Sequence, residues 1–300
     1  MMTDEERYLF DLQGYMVLED VLKADGLRDL NQVLDEYNLW NESHGQGGFF
    51  DSWRNGDHQV SAGPVHRFAK PFRQLLGHAR IVPYLTDLLG KQFRFDHGHA
   101  MIMKKGLEAL ALHGGGAPKE PGIRYEVADG QIRSELLVVE YALCDVAEGD
   151  GGLCVVPGSH KSNFACPSSL ASLEQPGAWL RNVPQKAGSA VIFTEALTHG
   201  TLPWTADHER RAFFIAIPRG IWRLWGVTGK MVLRHPMAVT LSPHTAKKAI
   251  GVPRNGASSK PRIFGNATTL FRKAEMSVLY LHAVDTARSF GRRSMSVSQC

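Results

Sequence analysis

The apolar positions along this chain change their period near residue 90, and that change separates two kinds of structure. Thr3 stands before an apolar-periodic stretch, with Glu6 three positions on, the pair that closes a capping box. A helix is predicted to about Leu12 and ends at Gly14, after which Tyr15-Met16-Val17-Leu18 has strand character. Between residues 25 and 37, Leu27, Leu30, Val33 and Leu34 recur at helical spacing and predict a second amphipathic helix. Residues 71–89 are helical in pattern, with Phe72, Leu75, Leu76, Ile81, Leu85, Leu88 and Leu89 as apolar positions. Pro83 would break one continuous helix, so two short helices meeting near it are predicted, with Gly90 as the stop. Residues 40–65 are rich in Gly, Asn, Asp, Ser and His and predict a long irregular segment, either a lid over a pocket or a packed surface excursion.

From Phe93 onward the period shortens. Residues 93–103 predict a strand pair or one long strand, and 136–143, 153–156, 190–193 and 212–217 are short strands separated by turn signals. A succession of this kind predicts a β-sandwich or jelly roll and not alternating βαβ units. After Pro218 the chain becomes more basic: residues 247–262 predict a loop, residues 276–290 a helix packed back on the barrel, and residues 291–300 a mobile tail. The expected organisation is a single domain over 1–300. It comprises a helical part at 1–90, a jelly-roll core at 91–220 and a C-terminal extension at 221–300.

Composition narrows the class of protein. A chain of 300 residues that is 43% hydrophobic and 21% charged suits a soluble globular protein with an ample core. No apolar run approaches a membrane span, and the acidic, polar N-terminus is unlike a secretory signal, so a cytoplasmic protein with no membrane partner is expected. Cys144, Cys154, Cys166 and Cys300 form no CxxC pair, which gives little support to a zinc site or a disulfide framework. A net charge of +4 is too mild for a nucleic-acid polymer but compatible with an anionic small molecule.

The candidate chemistry lies where the strands end. Ala190-Val-Ile-Phe193 leads to His199-Gly200-Thr201, and a polar turn then leads to Arg210-Arg211 ahead of the next strand. A histidine at a strand end can ligate a metal, and an arginine one strand later can clamp a carboxylate through two parallel hydrogen bonds. Strand neighbours point to opposite faces, so only one of Arg210 and Arg211 can face a pocket. Two further stretches join them: His113-Gly114-Gly115, at the head of a glycine-rich turn, and Gly151-Gly-Leu-Cys-Val-Val-Pro-Gly-Ser-His-Lys161. His97 and His99 share a strand face but precede the ligand positions, so they are expected to line the pocket or the core.

With the Gly14-Tyr15-Met-Val-Leu18 and Gly188-Ser-Ala-Val-Ile-Phe193 segments, these stretches resemble the phytanoyl-CoA dioxygenase family of iron(II)/2-oxoglutarate enzymes over roughly residues 4–218. The resemblance implies a double-stranded β-helix with flanking helices, and Fe(II), 2-oxoglutarate and O2 as cofactors. It makes His113 the proximal and His199 the distal iron ligand, and Arg210 the grip on the distal carboxylate of 2-oxoglutarate. Arg211 is the adjacent alternative, and Thr201 could offer that carboxylate a hydroxyl.

The chain departs from the family at the third ligand, where His-x-Asp has become His113-Gly114-Gly115. Three alternatives follow, and the first, an iron(II)/2-oxoglutarate-dependent halogenase, is the expected activity. Iron halogenases on this fold carry Gly or Ala where hydroxylases carry a carboxylate, so the place left by Gly115 would admit chloride as a direct ligand. Chloride would restore both a coordination position and a negative charge, and chlorine would then be delivered to an unactivated carbon. A hydroxylase with a displaced carboxylate is the second alternative. Glu195 lies about 13 Å from His199 along a regular strand and could ligate only if the chain bends there, while Glu126 and Asp129 are loop candidates. A jelly-roll binding protein that has lost its metal is the third.

The substrate expected is a small molecule. The overall likeness is greatest to a nucleotide halogenase that chlorinates the sugar of an adenine deoxynucleotide in antibiotic biosynthesis, with a carrier-tethered amino acid as the other substrate style. Lys104, Lys105, Arg124 and Arg133 are candidate phosphate holders or a solvated rim. Phe49, Phe50, Trp53 and Trp204 are candidates to stack on a base or to pack.

Overall fold

The computed structural model describes residues 1–40, 51–115 and 121–220. The expected loop at 247–262, helix at 276–290 and tail at 291–300 lie outside the described residues, as do Phe49, Phe50 and Cys300.

The N-terminal pattern folds as its residues dictate. Helix α1 (Asp4–Gln13) has the complete capping box, Thr3 accepting from the Glu6 amide and Glu6 from the Thr3 amide. Gly14 ends it at φ 84°, and a Cβ there would lie 2.5 Å from Nδ1 of His160, so both conformation and space require glycine. Strand β1 (Tyr15–Leu18) follows, then helix α2 (Ala24–Tyr37), which buries Leu30 and Leu34. Part of the expected irregular stretch is instead a hairpin of β2 (Asp51–Asn55) and β3 (Gln59–Gly63). Its polar composition hid two strands whose pairing is supplied by the sheet edge they extend. Helix α3 (Val65–Phe68) and α4 (Lys70–Leu75) come next, and α5 (Val82–Leu89) carries Pro83 in its first turn.

The remaining strands are β4 (His97–Met103), β5 (Leu110–His113), β6 (Tyr125–Ala128), β7 (Gln131–Ser134), β8 (Leu136–Ala142) and β9 (Gly152–Val155). After the short helix α6 (Ser168–Ala171) come β10 (Arg181–Asn182), β11 (Ala190–Thr194), β12 (His199–Leu202) and β13 (Arg210–Pro218). They form a seven-stranded sheet in the order β1-β11-β8-β13-β4-β3-β2 and a four-stranded sheet in the order β10-β9-β12-β5, while β6 and β7 make a separate hairpin. All pairings are antiparallel, which makes this the jelly roll expected from the strand succession.

Each face of the large sheet has its own core. On the outer face, Phe213 of β13 meets Phe72 of α4 edge to face at 4.9 Å, in a cluster that includes Leu30, Leu34, Leu85 and Leu88. A smaller cluster joins Val191 and Phe193 of the large sheet to Leu153 and Val155 of the small one. Alternation along β13 therefore sends Arg210, Ala212 and Phe214 to one face and Arg211, Phe213 and Ile215 to the other.

The Pro157-Gly158-Ser159-His160-Lys161 run is a fastener between the N-terminus and the barrel. A ring nitrogen of His160 donates to the Asp11 carbonyl at 3.0 Å, Lys161 pairs with the Asp11 carboxylate at 3.0 Å, and the Tyr125 ring packs edge-on against His160 at 4.5 Å. Burial pushes the pKa of His160 down to about 4, so the ring is neutral at pH 7. His160→Ala should cost about 3 kcal/mol through the lost hydrogen bond and the cavity. The measurement is the midpoint of urea unfolding at unchanged slope, and a loss below about 1 kcal/mol would show that the run is not a fastener.

Among the described residues, no helix is long and apolar enough to cross a membrane. Cys144, Cys154 and Cys166 are free thiols.

Candidate metal centre

His113, the last residue of β5, and His199, the first of β12, are register partners in the small sheet. Pairing places their rings 4.2 Å apart between centroids. The sequence thus brings together two histidines distant along the chain because both sit at paired strand ends. Each ring is fixed through Nδ1: that of His199 bonds the Leu197 carbonyl at 2.7 Å, and that of His113 the Ala111 carbonyl at 3.3 Å. A carbonyl can only accept, so both Nδ1 atoms carry the proton and both Nε2 lone pairs are left for a ligand. Burial pushes both pKa values down to about 4, with the neighbouring His199 as a second cause for His113, although part of the His113 surface reaches solvent.

Glu195 stands beside them as a candidate third donor. Its carboxylate and the two imidazoles offer ligand atoms that all lie within 4.8 Å of one another. The bend that such an approach requires is present. Strand β11 ends at Thr194, and the chain turns, with the Leu197 amide donating to the Thr194 carbonyl at 2.9 Å. The Ser159 hydroxyl accepts from the Thr198 amide at 2.8 Å and holds the far side of that turn. The bend swings Glu195 back toward the histidines. Burial raises its pKa above the ordinary carboxylate value, partly offset by His113 and His97. A divalent cation would relieve that cost, because it compensates the buried negative charge.

The two glycines after His113 make room for this turn. A Cβ at Gly114 would stand 2.7 Å from the carbonyl oxygens of both Glu195 and Leu197. A Cβ at Gly115, where φ is 102°, would stand 2.5 Å from the Thr198 hydroxyl. A side chain at position 115 would have to move the Thr198 hydroxyl and hold a positive φ, both of which favour glycine. The residues present fit a mononuclear metal, since two neutral imidazoles and one carboxylate suit a divalent iron that keeps open positions.

Arg210 and Arg211 separate as alternation demands. Arg210 is buried, and its Nη2 meets Glu140 Oε1 of β8 at 2.5 Å. Arg211 faces outward to Asp35 at 2.8 Å and Glu209 at 2.9 Å. The Arg210 guanidinium reaches the small sheet at Gly152, where a Cβ would lie 2.9 Å from its Nε. The register partner of Gly152 on β12 is Leu202, next to Thr201. His99 stacks on Phe214 at 5.2 Å, and His97 pairs with Asp96 at 3.1 Å. Glu140 went unnoticed in the sequence, because an acidic residue in an apolar run carries no motif.

Of the candidate phosphate holders only Arg124 and Arg133 share a cleft, and each of the four is engaged by another side chain. Lys104 lies over the Trp40 ring, Lys105 pairs with Asp207, Arg124 with Glu135 and Arg133 with Asp129. Trp204 is buried and donates to the His208 carbonyl, so it packs. A cleft of about 440 Å³ is lined by Arg124, Glu126, Arg133, Glu135 and Arg219, and none of the three donors lines it.

A jelly roll whose paired strand ends hold two histidines beside a carboxylate belongs to a recognisable class, the iron- and 2-oxoglutarate-dependent oxidoreductases. Residues 10–212 match the phytanoyl-CoA dioxygenase (PhyH) family, and the chain belongs to that family. Solved structures agree on the fold. HygX from Streptomyces hygroscopicus, with nickel, 2-oxoglutarate and hygromycin B bound, is 21% identical with a TM-score of 0.64, over 75% of this chain and 90% of that one. Its iron-bound form gives a TM-score of 0.62 at 20% identity, over 75% and 89%. EctD from S. alaskensis, with 2-oxoglutarate and 5-hydroxyectoine, gives a TM-score of 0.55 at 20% identity, over 73% and 76%. None of the curated proteins matches the chain.

Proposed function

We propose that this protein is an iron(II)- and 2-oxoglutarate-dependent oxygenase that hydroxylates or otherwise oxidises an unactivated C–H bond of a small molecule, with His113, His199 and Glu195 as its metal ligands. The observation that carries it is the Glu195 carboxylate beside two imidazoles whose Nε2 atoms are free. Iron with 2-oxoglutarate and O2 supplies the oxidising power. The protein's own residues bind and orient. His113 and His199 present neutral nitrogens, held by the carbonyls behind them. Glu195 supplies a negative charge from the turn that the Ser159 hydroxyl supports. Arg210, buried and facing inward, is the grip for the distal carboxylate, and Thr201 adds a hydroxyl from the neighbouring strand. Arg211, paired on the outer face, takes no part. HygX binds hygromycin B, which supports a small polar substrate for this chain as well.

Halogenation is the second reading, and the absence of a side chain at Gly115 favours it. In that case chloride would be the third ligand, and an adenine deoxynucleotide the candidate substrate. Against it, Glu195 already offers a third donor. The four basic residues expected to hold a phosphate are each engaged by another side chain.

The test is the visible metal-to-ligand charge-transfer band of the protein with iron(II) and 2-oxoglutarate under anaerobic conditions. A band that chloride neither strengthens nor shifts is expected. A band that requires chloride would replace Glu195 by the halide and turn the assignment to a halogenase. No band in either condition would leave a jelly roll without the proposed centre.

A further inference from the structure

One buried group near the co-substrate grip is not used by the proposed chemistry. Glu140 and Arg210 form an ion pair with side chains only 1% and 2% exposed. Glu140 Oε1 also accepts from Gln185 Nε2 at 3.3 Å, and Arg210 Nη1 lies 3.3 Å from the Met103 sulfur. Around this pair Arg210 Nε, Glu140 Oε2 and Gln185 Oε1 are buried and have no partner. Phe214 flanks the guanidinium, with its ring centroid 5.9 Å away. Two thiols also border the pair, Cys144 and Cys154, and burial pushes both upward, Cys154 to about 12, so they stay neutral at pH 7. Of the two groups that hydrogen-bond Glu140, only Arg210 carries charge.

The charge count has a consequence. An arginine that grips an incoming carboxylate works best when its own charge is unspent. Here the positive charge is already matched by Glu140. A second carboxylate on the same guanidinium leaves two negative charges around one positive charge in a dry interior, which is costly. The arrangement is also incomplete, with one guanidinium donor and one carboxylate oxygen unused, so the pair can rearrange around a newcomer instead of being locked.

We propose that Glu140 is an internal competitor for the carboxylate grip of Arg210 and is the residue that limits affinity for 2-oxoglutarate. The proposal rests on the assignment of Arg210 above. 2-Oxoglutarate enters by displacing the Glu140 carboxylate from Nη2 or by sharing the guanidinium with it, and in both cases pays for the like charge. An oxo acid of the same length without a distal carboxylate, 2-oxopentanoate, escapes that repulsion. The wild-type protein therefore discriminates weakly between the two, whereas an uncapped arginine would favour 2-oxoglutarate strongly.

The experiment titrates each oxo acid into the iron(II)-loaded protein without oxygen and reads the dissociation constant from the charge-transfer band. In the wild type, 2-oxoglutarate should bind within about tenfold of 2-oxopentanoate. In Glu140→Gln, which keeps the volume and the hydrogen bond to Arg210, 2-oxoglutarate should bind at least about tenfold tighter and 2-oxopentanoate about the same. Thermal unfolding confirms that the variant is folded, and if it is not, the wild-type ratio decides alone. A wild-type preference for 2-oxoglutarate above about tenfold, or a folded variant that binds it no tighter, would overturn the role of Glu140 while leaving the oxygenase assignment intact. If neither oxo acid gives a band in the wild type, the oxygenase assignment falls, and this proposal with it.

Discussion

Glu195→Ala should strip the protein of its divalent metal and leave the fold intact. The carboxylate is the one anionic donor of the three, and both histidines turn Nδ1 to a carbonyl and leave Nε2 for the metal. Loss of a supporting partner behind a ligand already costs about ten- to a hundredfold in metal affinity, so loss of a ligand should cost at least about a hundredfold. Oxidation of substrate and turnover of 2-oxoglutarate should fall with it. Stability should move the other way. The Glu195 side chain makes no hydrogen bond to the described residues, and partial burial raises its pKa against the opposing effect of His113 and His97, so the metal-free protein gains little from the carboxylate. Its removal should leave the metal-free melting temperature equal or higher, while the rise normally produced by iron(II) or nickel(II) disappears. Calorimetric titration of nickel(II) and thermal unfolding with and without metal would check both parts. Wild-type metal affinity in the alanine variant would remove Glu195 from the centre.

Removing the Arg210 charge should weaken binding of 2-oxoglutarate once Glu140 is neutralised, and removing the Arg211 charge should not. Arg210→Ala alone is a poor probe, because it abandons the buried Glu140 carboxylate at a cost of about 3–5 kcal/mol. Arg210→Met combined with Glu140→Gln removes both charges of the pair, and its proper reference is the single Glu140→Gln variant. Loss of a buried, hydrogen-bonded charge partner costs about 2–5 kcal/mol, so affinity for 2-oxoglutarate should fall by roughly thirtyfold or more relative to that reference. Arg211 lies on the opposite face, partly exposed between Asp35 and Glu209. Arg211→Ala should therefore cost about 1 kcal/mol of stability or less and leave the affinity unchanged. The reverse pattern in the anaerobic titration would exchange the two residues.

Much of the fold was legible along the chain because local rules govern it. The capping box of Thr3 and Glu6, the helical spacing of Leu27, Leu30 and Leu34, and the strand runs around β8, β11 and β13 all appear in the structure. So does the rule that only one of two adjacent strand arginines faces inward. The β2–β3 hairpin escaped because its polar residues follow no period, and its strands exist through pairing with β4, which is remote in sequence. The Pro-Gly-Ser-His-Lys run was legible as a motif, yet its anchoring of α1 and its support of the turn before His199 are contacts across the fold.

The sequence by itself determined the main helices and the strand succession, and the rule that only one of Arg210 and Arg211 can face inward, since each depends on local period. Tertiary structure decided the third donor. Along a regular strand Glu195 lies about 13 Å from His199, and only the turn after Thr194, closed by Ser159 and admitted by Gly114 and Gly115, brings it beside both rings. The same holds for Glu140, whose partner Arg210 is 70 residues away along the chain. The physical reason is common to both: a carboxylate acquires its role from the charges and free space that distant strands place around it, and linear order does not encode those distances.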